Sequence, residues 1–151
     1  MGNAMGKWSG VLFIVGKPSA TSPSGARGHQ ILMASEAVKM ALEHLPGKPL
    51  WAALDLSTHR SEIAGQVGIV ETAELVGDKL TLSGELFERD NVDLAACAEP
   101  LGLSYDANGC HVPDMRPFLW TIDRANFFGV TVLIQVKAAH KQDTSFRLEE
   151  R

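Results

Sequence analysis

The sequence predicts an α+β, β-rich fold: a small closed or partly closed β-barrel of about six or seven strands with a few helices packed outside. Three observations lead there. Short apolar runs, either β-branched or alternating, recur between glycine and proline punctuation, whereas only two segments carry helical spacing. The 151 residues suffice for one compact domain with a real core and are too few for two ordinary ones. Hydrophobic content of 45% and charged content of 21% place the chain among ordinary globular proteins.

The elements follow in order. Met1 to Lys7 is small and polar with a second methionine at Met5, so residues 1–7 are expected as a disordered or appended lead, and order is expected from Trp8. Val11 to Val15, bounded by Gly10 and Gly16, reads as a buried strand. Lys17 to His29 carries Pro18, Pro23, Gly25 and Gly28 and reads as a long loop. Ser35 is expected to cap a helix whose apolar stripe is Ala34, Ala37, Val38, Ala41, Leu42 and Leu45, ended by Pro46-Gly47. Leu50 to Leu54 is a short strand, and residues 55–61 are polar again, which puts His59 at a strand-to-loop edge.

Ala64 to Val70 and Lys79 to Leu86 read as strands, with Gly77-Asp78 as a hairpin turn. Asp90 caps a short helix through Ala98, stopped at Pro100. Leu101 to Asp106 is then a strand, turned by Ala107-Asn108-Gly109. Phe118 to Ile122 and Gly129 to Val136 complete the set. Residues 8–139 form the single domain, and residues 140–151, with their charged end, are expected as a flexible tail.

Several function classes fall away. A net charge of −4 without a clustered basic surface leaves no nucleic-acid footprint. The run from Gly10 to Gly16 is far short of a membrane span, and the N-terminus lacks a signal peptide, so a soluble intracellular protein without membrane partners is expected. Cys97 and Cys110 have no metal-type spacing and read as reduced thiols, and no cofactor is implied.

The residue that invites chemistry is Ser104. Alternation sends Leu101, Leu103 and Tyr105 to one face of their strand and Gly102 with Ser104 to the other, with Gly102 leaving room beside the hydroxyl. Most strand serines are merely hydrogen-bonded, and a serine nucleophile needs a base, for which histidine is best tuned. His29 and His44 lie in a loop and at a helix end, His140 in the tail, and His111 just beyond the turn. His59 lies in a polar loop after a strand, and chain order is no obstacle to such a pair.

The ordered landmarks Gly47-Lys48-Pro49-Leu50, Ser57-Thr58-His59, Ala64-Gly65-Gln66-Val67-Gly68, Gly77-Asp78-Lys79-Leu80 and Leu101-Gly102-Leu103-Ser104 resemble the tailed-phage prohead (capsid maturation) proteases. These are serine peptidases similar in fold to the herpesvirus maturation protease. The resemblance spans roughly Gly28 to Ala139, and its specificity lies in the order of the pieces. It implies His59 as general base and Ser104 as nucleophile. It also implies phage scaffold and major capsid protein as substrates, self-association, and a place inside the assembling prohead in a bacterial host cytoplasm.

Family members complete the triad with an acid, or a second histidine in the viral relatives, near the start of the late β-branched strand. That position falls at or near Gly129, which carries no titratable group. Three accounts remain open: a Ser104–His59 dyad, a substitute third member such as Asp123 from the preceding strand end, or a family member without activity that serves as an assembly component. Asp106 lies too near Ser104 in sequence to reach around a histidine easily. An unrelated β-barrel binding domain is the third reading of the chain.

Overall fold

The computed structural model describes residues 4–20, 28–52, 66–87, 100–134 and 138–149. Within them the protein is β-rich, with one large sheet curled into a half-barrel and a single α-helix. The large sheet has seven strands in the order β10-β1-β5-β4-β3-β9-β6. They are β1 (Ala4–Ile14), β3 (Pro49–Ala52), β4 (Gln66–Val76), β5 (Lys79–Phe87), β6 (Leu101–His111), β9 (Arg124–Ile134) and β10 (Arg147–Glu149). A smaller sheet joins β2 (Gln30–Met33), β8 (Leu119–Ile122) and β7 (Asp114–Arg116) in the order β2-β8-β7.

Sequence patterns explain the core. Trp8, Leu12 and Phe13 of β1 are buried with Leu80 and Leu82 of β5, Leu103 of β6, and Val130 and Val132 of β9. Strict alternation would expose one of the neighbours Leu12 and Phe13. A register shift between Val11 and Phe13 adds a residue to β1, and both side chains turn inward. Helix α1 (Ser35–His44) buries Ala37, Val38 and Ala41, with Glu36 in its first turn, where a carboxylate suits the positive end of the helix. It packs against β9. Its N-cap is Ala34, without a side-chain cap bond, and Ser35 is the first helical residue, hydrogen-bonded to Glu36.

Order extends beyond the bounds expected from sequence at both ends. β1 begins at Ala4, because its first residues pair with the end of β5, Ala4 opposite Phe87 and Gly6 opposite Leu86. Residues 140–149, expected as a tail, instead lie between β1 and β6 and hydrogen-bond to both. After a 3-10 turn (Lys141–Asp143), the Thr144 hydroxyl donates to the Val11 carbonyl and accepts from the Leu103 N–H. The Ser145 N–H then donates to the Val11 carbonyl, and the Phe146 N–H to that of Leu101. The chain passes this close to β1 because Gly10 has no side chain: a Cβ there would collide with the Ser145 carbonyl oxygen. The tail misled because its apolar anchors, Ala138 and Phe146, are too far apart to form a periodic pattern.

Three further differences concern strands whose small or polar residues do not read as strand-forming in the sequence. β6 runs through Ala107-Asn108-Gly109 to His111, absorbing two register shifts, instead of turning there. β9 begins at Arg124 instead of Gly129, and β2 and β7 were not anticipated. The turn before β8 is Pro117-Phe118, with Phe118 at φ 69 and its ring 78% exposed. The expected helix after Asp90 lies outside the described residues.

Candidate active site

The antiparallel pair β6/β9 builds the region around Ser104. Leu103 is buried and Tyr105 packs on the core, so Ser104 faces the other way, as alternation requires. Ser104 lies opposite Thr131, and Asp106 opposite Gly129. Thr131 is buried, and its hydroxyl donates to the Asp106 carboxylate at 2.7 Å. Ser104 itself is half-buried, and its hydroxyl makes no hydrogen bond among the described residues. One face therefore carries a serine hydroxyl, a threonine hydroxyl and a carboxylate held by that threonine.

β3 flanks this face on the far side of β9. Its residues Leu50, Trp51 and Ala52 pair in parallel with Val130, Thr131 and Val132, so Trp51, Thr131 and Ser104 form one row across three strands. The Trp51 ring leans over Gly129, where an added Cβ would strike it. A glycine is required there because the indole occupies the space a side chain would use. The ring also meets Phe128 edge-on, at 6.2 Å between centroids.

His59 lies outside the described residues, as does Cys97. Asp123 sits elsewhere on the hairpin. Its carboxylate receives His111 Nδ1 at 2.7 Å, and its backbone N–H donates to the His111 carbonyl. His111 is seven residues along β6 from Ser104, roughly 20 Å of extended chain. The register sets Thr131, and not Gly129, level with Ser104.

The other candidates resolve simply. His29 stacks on Trp120 at 4.5 Å, and His44 ends α1 on the surface. His140 is buried in the core beside Tyr105. Cys110 is exposed, and what desolvation it meets raises its thiol pKa, the wrong direction for a nucleophile. No group of three or more potential metal ligands occurs among the described residues, nor does any helix long and apolar enough to cross a membrane.

Thr131 was missed as a site residue, and Asp106 was set aside as too near Ser104 in sequence. Their signal was present: Thr131 alternates between the core residues Val130 and Val132, and Asp106 follows Ser104 by two positions on the same face. Comparison of the chain with family models, curated proteins and solved structures finds no match.

Proposed function

We propose that this protein is a serine endopeptidase of the prohead-maturation type, with a herpesvirus protease-like barrel, Ser104 as nucleophile and His59 as general base. One observation carries the reading: the strand that leads to His59 lies two strands from Ser104, with Trp51, Thr131 and Ser104 in one row. Two strand spacings are about 10 Å. His59 follows Ala52 by seven residues, a reach of up to about 23 Å, so the chain is long enough to bring an imidazole over Ser104.

In this mechanism the imidazole takes the Ser104 proton as the hydroxyl attacks a peptide carbonyl, and returns it to the leaving amine. The acyl-enzyme is then hydrolysed, the same base activating water. Backbone N–H groups hold the oxyanion. The carboxylate on the nucleophile's own face is Asp106, pinned by Thr131, and in this reading Asp106 steadies the imidazole in place of Asp123. Substrates are scaffold and major capsid protein in the assembling phage head, where confinement compensates for slow turnover, and copies of the chain self-associate there.

The second reading, an inactive assembly component of the same fold, is favoured by the absence of a titratable group at Gly129. Co-expression with scaffold and capsid protein, followed by intact mass, separates the two. Specific fragments that vanish in Ser104→Ala, together with fluorophosphonate labelling lost in that variant, establish the protease. A folded wild type that cuts neither itself nor its partners leaves the assembly reading.

A further inference from the structure

Residues 138–149 hold the seam between β1 and β6, yet they are unsatisfied at one point and strained at the next. His140 is 4% exposed, stacked on Phe13 with centroids 5.4 Å apart, and its Nε2 lies 3.2 Å from the Tyr105 hydroxyl. Its Nδ1 is buried without a hydrogen-bond partner. In the neutral ring one polar atom therefore goes unmatched. In the imidazolium, an N–H without an acceptor and a full charge would both sit among aromatic side chains. The next residue, Lys141, adopts φ 43, a left-handed conformation that costs a residue with a Cβ.

The surrounding groups do not offset that charge. From β1 the neighbour is the Phe13 ring, and from β6 it is Tyr105, whose phenol burial keeps un-ionised. Asp143, in the 3-10 turn, attracts a proton to His140, but its carboxylate is already engaged by the Lys17 ammonium at 2.9 Å. Burial outweighs Asp143 and lowers the His140 pKa from 6.5 to about 4.

We propose that residues 138–149 are an acid-released clasp: protonation of His140 frees the segment from between β1 and β6 and opens the seam beside Leu103 and Ser104. The device does not depend on whether Ser104 is a nucleophile. Because the clasped state resists the proton and the released state accepts it, the clasp is fully held above pH 6.5. It is weakened progressively as pH falls from 6.5 toward 4. Ordinary carboxylates stay ionised down to about pH 5, and between pH 7 and pH 5 the released-to-clasped ratio rises about 20-fold.

Hydrogen exchange of the full chain at pH 7 and pH 5, corrected for intrinsic rates, tests this. The amides of Leu103, Ser145 and Phe146 are expected to open about 20-fold more at pH 5, while those of β5 do not change. His140→Phe, which keeps the ring stack without a titrating group, and His140→Gln should each abolish the pH response. Lys141→Gly should lower opening equally at both pH values. Equal opening of wild type at the two pH values would overturn the proposal without any variant. So would β5 amides opening in step with the seam, or an undiminished response in whichever His140 variant folds.

Discussion

The hairpin of β6 and β9 carries two aspartates in two settings, and their difference separates a structural pair from a candidate site. At one end, Asp106 receives the hydroxyl of a buried threonine across from Ser104. At the other, Asp123 receives the half-exposed ring of His111. By residue type the His–Asp pair looks more catalytic. Yet it has no nucleophile in its register row, and a partly exposed pair of this kind is worth little. Thr131 and Asp106 are ordinary in kind, but they are pinned beside an unbonded serine.

The sharpest way to break this contrast is kinetic. Ser104→Ala should reduce cleavage of scaffold by about a million-fold with the circular dichroism spectrum unchanged, which mass spectrometry of co-expressed proteins would read as complete loss of fragments. Next, Asp106→Asn should cost up to ~10⁴ in kcat, while Asp123→Asn leaves kcat intact, as measured on a scaffold-derived peptide. The reverse pattern would move the third member to Asp123 and undo the comparison.

Smaller effects fall on stability. Gly129→Ala forces the Trp51 ring aside and should cost about 1–3 kcal/mol, visible in urea unfolding together with altered tryptophan fluorescence. Thr131→Val keeps the shape of the side chain but removes the donor to Asp106, an expected loss of about 1–3 kcal/mol. Asp123→Asn, at the exposed end, should cost below ~1 kcal/mol and lose even that in high salt.

Much of this contrast was legible in the residues. The placement of Ser104 followed from alternation through Leu103 and Tyr105, and helix α1 from the spacing of Ala37, Val38 and Ala41. The level of Thr131 with Ser104 was not legible. It depends on register, and β6 and β9 slip past one another at two irregular points, after Asp106 and after Asn108. The partnership of His111 with Asp123 was hidden for the same reason: Ala107-Asn108-Gly109 looks like a turn and is in fact a bent continuation of the strand. The role of residues 144–146 was illegible because it rests on single hydroxyl and backbone bonds to two strands remote in sequence.

The pairing of β10 with β1 also sets a timetable for folding. Ser9 donates to Glu149 across 140 residues, so β1 waits for a partner made 140 residues later. At ribosomal speeds of 5–20 residues per second that wait is roughly 7 to 28 s. For all of it, the flank of β1 that carries Trp8 has no partner of its own chain to cover it. The flank of β1 in a nascent chain is therefore open to aggregation and to chaperones until residues 147–149 emerge, and a ribosome paused near residue 140 would prolong that exposure.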